Sequence, residues 1–240
     1  MAAGDPGIEL VVFDLDGTLT RRDTLLPYVF GYLLRRPWRL PRLIVMLPAL
    51  LGFACGVLDR GGLKSWLVRA GLGGQPRAPL MAWNARFLPR LLSEGLHAEA
   101  LRALDAARER GACCVLLSAS PDLYVPEIGA RLGFARTICT GVRWRPDGRL
   151  DGRLSTANRR GAEKARCVTA LLDELRPALS TAYGNSRADL AHLRLVREGV
   201  YVGRRRPANA PPSIRFEPWR TPGGLAPPAT AVGEAGRPGR

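Results

Sequence analysis

The hydrophobic pattern changes character three times along the chain. Near the amino end, Val11-Val12-Phe13 is short and continuously apolar, as expected of a strand buried on both faces, and it leads into two carboxylates two residues apart, Asp14 and Asp16, then Gly17 and Thr18. From residue 21 to about 95 the spacing is helical and no second strand stands out. Asp23 or Thr24 supplies a cap for a helix through LLPYVFGYLLRR, Pro37 and Pro41 punctuate the chain after that helix, and GGLKSWLVRAGLGG and PLMAWNARFLPRLLSEGL read as two further helices.

Beyond residue 97 strands and helices alternate. The pattern predicts a helix over 98–110, the strand ACCVLLS, a helix over 122–132 and a short strand RTICTGVRW that turns at Pro146-Asp147-Gly148 into RLDGRLS as a hairpin. A helix over 162–175, the strand LSTAYG, a helix through Leu190 to Arg197 and the strand GVYVG complete the series. Such alternation predicts an α/β fold, a doubly wound parallel sheet with helices on both faces. Residues 1–20 and 96–203 then form the core, 21–95 a helical cap inserted after the first strand, and 204–240, rich in Pro, Gly, Ala and Arg, a disordered basic tail.

One piece of the insert stands apart. Leu43 to Leu58 is sixteen residues without a charge, preceded by Arg35, Arg36, Arg39 and Arg42 and followed by Arg60. A membrane span needs roughly 20 apolar residues, and Pro48, Gly52 and Gly56 weaken this one further. Three readings stay open: a buried cap helix or helical pair, a segment lying in the interface of a bilayer with its arginines on anionic headgroups, or a span.

Composition adds charge to this picture. The 240 residues carry a net charge of +15, and the basic residues are almost all arginine, the only lysines being Lys64 and Lys164. A lysine kept in so arginine-rich a chain suggests a site that needs a compact point charge, which singles out Lys164. The balance implies anionic partners, whether a phosphorylated small molecule, a lipid phosphate or an anionic membrane surface. No helix-turn-helix, zinc-finger or RNP pattern occurs, so no specific nucleic-acid binding is expected. Cysteines 55, 113, 114, 139 and 167 show no CxxC spacing and read as buried small hydrophobes in a reducing compartment. With no basic flank and apolar core of a secretion signal at the start, the expected location is cytoplasmic, with the option of the inner membrane face.

The chemistry gathers at strand ends and helix starts. Asp14 and Asp16 share one side of an extended strand, and two acids so close call for a cation between them or a retained proton. Gly17 permits a sharp turn, and Thr18 and Thr20 leave room and hydrogen bonds for an anion. Ser118, with the following amides beginning at Ala119, is placed to hold phosphate oxygens at a helix start. Lys164 lies in the first turn of its helix, where a cation needs an anion nearby to offset the helix dipole. YGNSRADL offers Asn185 and Asp189 just after a strand.

These pieces, in this order, resemble the motifs of the haloacid dehalogenase superfamily of aspartate-nucleophile phosphatases. DLDGTLT is similar to its first motif, LLSAS to the second, RRGAEKARC to the third and YGNSRADL to the fourth. The insert with SASPDLYVPEIG and RGAEK resembles the subfamily holding phosphoserine phosphatases and the phosphatidylglycerophosphatase C type. The resemblance implies a Rossmann-like core and two-step phosphoryl transfer, with Asp14 as nucleophile and Asp16 as acid and base. It also implies Ser118, Ala119 and Lys164 as phosphate binders, and Mg2+ held by Asp14, Asp16, Asn185 and Asp189.

Two positions depart from the pattern. A phosphoserine phosphatase would carry Glu at Asp23 to contact the substrate amine, and the fourth motif usually has Asp where Asn185 stands, so the site has one negative charge fewer for the metal. That second departure leaves a catalytically weak binding or regulatory protein, including one acting at a membrane surface, as the alternative to a phosphatase.

Overall fold

A computed structural model of the chain describes residues 7–219. Its central sheet is six-stranded and parallel, formed by β1 (Glu9–Phe13), β2 (Cys113–Pro121), β3 (Arg136–Thr140), β6 (Leu179–Gly184), β7 (Glu198–Val202) and β8 (Arg215–Glu217) in the order β3-β2-β1-β6-β7-β8. The remaining two, β4 (Val142–Trp144) and β5 (Leu150–Leu154), pair antiparallel as a separate hairpin. Alternation along β1 divides the core. Val11 and Phe13 pack on one face with α5 (Ala98–Glu109) and α6 (Val125–Arg131), while Leu10 and Val12 pack on the other with α7 (Ala162–Leu175) and α8 (Leu190–Leu193). Because β1 pairs with β2 on one side and β6 on the other, its carboxyl end lies mid-sheet at the point where the strand order reverses, the usual place for a ligand cleft in an open α/β sheet.

Between β1 and α5 run α1 (Leu25–Leu34), a 3-10 stretch (Pro37–Val45), α2 (Met46–Ala54), α3 (Arg60–Leu72) and α4 (Arg77–Glu94). Aromatic packing ties this insert to the core: Tyr28 lies 4.4 Å from Tyr124 between ring centres, and its hydroxyl donates to Asn84 Oδ1 at 2.7 Å. Asn84 in turn donates to the Leu123 carbonyl.

Three expectations are corrected. RTICTGVRW divides at Gly141, its first half joining the parallel sheet and its second the hairpin, because the Gly141 amide turns to the Thr156 hydroxyl. Residues 204–219 are not a tail: Ile214 is buried, and β8 extends the sheet by pairing Val200–Val202 with Arg215–Glu217. The rest of the expected disordered tail, 220–240, lies outside the described residues. Cys55 is exposed, although all five cysteines are free.

The apolar run is mostly at the surface. Of Leu43 to Leu58 only Met46 and Ala49 are buried, and no helix among the described residues is long and apolar enough to cross a membrane. Eleven of the fifteen exposed large apolar side chains among the described residues fall between Leu26 and Val57. Full burial of each would contribute about 1.5–3 kcal/mol, so the face is expensive to leave in water.

Candidate active site

Asp14 follows directly on β1, its amide donating to the Tyr183 carbonyl of the neighbouring strand at 3.1 Å. The carboxylate is 6% exposed and both oxygens are engaged: Lys164 Nζ donates to Oδ1 at 2.5 Å and Thr18 Oγ1 to Oδ2 at 3.0 Å. Lys164, on the first turn of α7 and also buried, donates a second hydrogen bond to Asp189 Oδ1 at 2.7 Å. Asp189 Oδ2 accepts from the Ser186 amide and hydroxyl at 2.9 and 2.6 Å. One ammonium is thus shared by two carboxylates in a dry setting, and the anion that the early position of Lys164 in its helix demands is supplied by Asp14 and Asp189.

The protonation balance results from this sharing. Burial raises Asp14 from its ordinary 3.8 to about 7 against the pull of Lys164. Burial works to raise Asp189 too, but Lys164 overcomes it and holds that carboxyl below the ordinary range. Burial disfavours the Lys164 charge, and the two carboxylates outweigh it, leaving its pKa above normal. His192 sits behind Asp189 with Nδ1 3.8 Å from Oδ1, fully buried, and burial pushes it down to about 3, so the ring is neutral at physiological pH.

Asp16 faces the insert. Its Oδ1 accepts from the Thr24 amide and hydroxyl at 2.7 and 2.6 Å, and its Oδ2 from Ser120 Oγ at 2.6 Å. Burial raises its pKa, with the Ser120 and Thr24 hydrogen bonds pulling the other way. The Thr24 hydroxyl continues the chain to the Tyr124 hydroxyl at 2.9 Å. Between the two acids and Thr18, Gly17 has φ +82°, a turn that requires glycine, and a Cβ there would displace the Asn185 amide, whose nitrogen it would meet at 1.9 Å.

Asp14, Asp16, Asp23, Ala119, Lys164, Asn185 and Asp189 all line one cleft of about 960 Å³. Ser118 does not. The sequence ends the strand there, whereas β2 continues to Pro121 with an irregularity after Leu117, leaving Ser118 fully buried with its Oγ accepting from the Ser120 amide at 3.0 Å. Ala119 and Ser120 face the cleft instead. Asp189 is held by Lys164 and Ser186 with both oxygens occupied, which makes it the lysine's anchor; Asp23 Oδ1 accepts the Leu26 amide at 3.1 Å and so caps α1. The Thr20 hydroxyl is spent on the Leu15 and Arg22 carbonyls.

Sequence reasoning missed Ser120, Thr24, Asn158 and Lys64. Lys64 reaches from α3 across the cleft to the Ala119 carbonyl and to Asn158 Oδ1, the latter at 2.8 Å, and burial pushes it down to about 8. Its signal was present: both lysines of the chain line this one cleft. Arg21, Arg22, Arg60, Arg159 and Arg160 add positive charge to the lining, the field expected around an anionic ligand.

Among the described residues no group of three or more His, Cys, Asp or Glu side chains forms a metal cage. The oxygen-bearing side chains that line the cleft here, Asp14, Asp16, Asn185 and Asp189, all offer hard oxygens, and Asp14 is a buried acid whose charge one shared ammonium does not fully offset. That chemistry fits a hard divalent cation at reduced charge.

Comparison with known proteins agrees with this architecture. The haloacid dehalogenase-like hydrolase family model matches residues 11–194. Protein CicA of Caulobacter vibrioides is 34% identical over 219 residues, covering 85% of this chain and 92% of the relative. Among solved structures, a protein of unknown function from Bordetella pertussis Tohama I superposes with a TM-score of 0.68 at 22% identity, over 82% of this chain and 90% of that one. A phospho-aspartyl intermediate analogue of phosphoserine phosphatase superposes with a TM-score of 0.58 at 15% identity, over 82% and 87%. The chain belongs to the haloacid dehalogenase-like hydrolase family and has the fold of its phosphoserine phosphatases. The resemblance carried by the four motifs is borne out at that level.

Proposed function

We propose that this hydrolase is a phosphomonoester phosphatase that works through an aspartyl phosphate on Asp14, with Mg2+ as cofactor. The observation that carries the reading is Asp14 at the carboxyl end of β1, buried, 2.5 Å from a lysine that Asp189 anchors, at the floor of a cleft rimmed by arginines.

In the first step an Asp14 carboxylate oxygen forms a bond to phosphorus as the bond to the alcohol oxygen breaks, and Asp16 delivers its proton to that oxygen so that a neutral alcohol leaves. The raised pKa of Asp16 suits a group that must arrive protonated. In the second step Asp16 takes a proton from water as the water oxygen attacks phosphorus, releasing phosphate and restoring the Asp14 carboxylate. Lys164 and the amide at Ala119 stabilise the charge on the non-reacting oxygens. Asp14, the Asp16 carbonyl and Asn185 would hold the magnesium, which when bound supplies positive charge at the phosphoryl oxygens and keeps Asp14 ionised.

The helical insert serves as a cap over the cleft, fixed to the core through Thr24, Tyr28, Lys64 and Asn84. The substrate is a small phosphorylated metabolite or a lipid phosphate. Asp23 is one carbon shorter than the Glu of phosphoserine phosphatases and is tied through Oδ1 to the Leu26 amide, which weighs against a phosphoserine-type ammonium contact. Five free cysteines support a reducing, cytoplasmic setting. A phosphate-release screen over soluble phosphomonoesters and phosphatidylglycerol phosphate, with magnesium or a chelator, tests the reading. Magnesium-dependent release from at least one substrate is expected, and no release from any of them overturns it.

A further inference from the structure

The walls of the cleft differ sharply from its floor. Leu26, Phe30, Leu50 and Phe53 line its mouth and are 37–49% exposed, and the apolar surface continues outward through Leu47, Leu51 and Val57, at 58, 67 and 85%. From Thr24 to Leu58 the chain carries four arginines, Arg35, Arg36, Arg39 and Arg42, and no acid at all. Arg39 and Arg42 both donate to the Gly73 carbonyl at the carboxyl end of α3, at 2.8 and 2.9 Å. That bond places cations on the insert without neutralising them. The segment is broken into a 3-10 stretch and a nine-residue helix, too short to span a bilayer.

We infer that the face formed by Pro37–Val45 and α2 docks on an anionic lipid bilayer, lowering the cleft mouth onto the headgroups so that a phosphomonoester carried by a lipid enters head first. Apolar side chains standing out of a segment that bears arginines and no acid match the two requirements of interfacial binding, burial below the headgroups and attraction to anionic lipid. The continuity of this face with the cleft lining also gives the acyl chains an exit past Leu26, Phe30, Leu50 and Phe53 while the phosphate reaches Asp14 and Lys164. The identity of the substrate rests on the phosphatase reading above, whereas the docking does not.

The test uses the full chain, since β8 and the buried Ile214 lie past residue 203. Sedimentation with phosphatidylcholine vesicles, with and without phosphatidylglycerol, is expected to give binding that requires the anionic lipid and weakens with salt. The double substitution Leu51→Glu with Val57→Glu, at two side chains outside the cleft lining, is expected to lower partitioning at least about tenfold. A thermal unfolding scan checks that this variant is folded. A second readout needs no substitution: labelling of Cys55, exposed beside α2, by a charged water-soluble maleimide should slow several-fold on adding anionic vesicles. Absence of vesicle binding, equal binding to neutral vesicles, or Cys55 labelling unaffected by anionic vesicles would each overturn the proposal. So would a double variant that still binds vesicles fully but changes from dimer to monomer, which would make the face a self-association surface. Hydrolysis of p-nitrophenyl phosphate without vesicles measures the phosphatase reading separately, so the two can fail independently.

Discussion

The floor of the cleft and the insert above it are built on opposite principles. At the floor, the buried carboxylates have both oxygens hydrogen-bonded: Asp14 to Lys164 and Thr18, Asp189 to Lys164 and Ser186, Asp16 to Thr24 and Ser120. In the insert, the 3-10 stretch has no buried residue and α2 has two, and large apolar side chains meet water. A satisfied polar network in low dielectric is rigid and intolerant of change, because removing one partner strands another. An exposed apolar surface is tolerant of substitution but incomplete without something to cover it. Under the proposed function, reactivity falls to the floor and substrate access to the insert.

The sharpest way to break that assignment is at the floor. Asp14→Asn should lower phosphatase turnover by about 10⁴-fold or more, since an amide cannot attack phosphorus, while leaving the fold in place. Retention above about a hundredth of the wild-type rate would remove Asp14 as nucleophile. Lys164→Met should cost about 10²–10³-fold in kcat, the scale of one lost charge-stabilising donor. A change confined to KM would instead make the lysine a ground-state binder only.

Smaller effects sharpen the same picture. Asn185→Asp adds a charged oxygen where the side chain abuts Gly17, and the magnesium concentration for half-maximal activity should fall by about three- to tenfold; no change, or a rise, would place Asn185 outside the coordination shell. Asp14 also carries a pH signature. With magnesium chelated, its pKa is about 7 in the folded chain against an ordinary 3.8, so the folded state binds more protons between those values. This contribution to stability is full below about pH 4 and is lost as pH rises through about 7. In thermal unfolding with chelator, the melting temperature of Asp14→Asn relative to the unsubstituted protein should therefore rise by about 5–10 °C between about pH 5 and about pH 8. A flat difference would mean that Asp14 is not held protonated by burial.

Much of this was legible in the sequence, and the omissions have physical causes. The hydrophobic pattern placed α7 and β6 to the residue and β1 to within two, β1 through its unbroken apolar run and the other two through the alternation of helix and strand. β8 escaped because three residues amid prolines carry no periodicity of their own, and their pairing with β7 is a tertiary fact. Asp14, Asp16 and Lys164 stood out because a dense motif or a rare residue type marks each. Ser120 was passed over in favour of Ser118 since the irregularity in β2, which turns the second hydroxyl toward Asp16, has no sequence marker. Asp189 lies where a metal ligand belongs by spacing, and only the geometry reveals that Lys164 and Ser186 occupy it. Lys64 had the same rarity as Lys164, but it sits on a helix with no motif, and its reach to Ala119 and Asn158 depends on how the insert folds over the core.

The account turns on a covalent intermediate, and Asp16→Asn is the variant that exposes it. p-Nitrophenyl phosphate has a leaving group that departs without a proton, so the variant should still phosphorylate Asp14 but lack the base that activates water. Rapid mixing with magnesium should give a burst of one nitrophenolate per chain followed by almost no turnover, and borohydride reduction of the quenched protein should mark the peptide bearing Asp14 and no other. Steady release with no burst, or a mark on any other residue, would contradict the account.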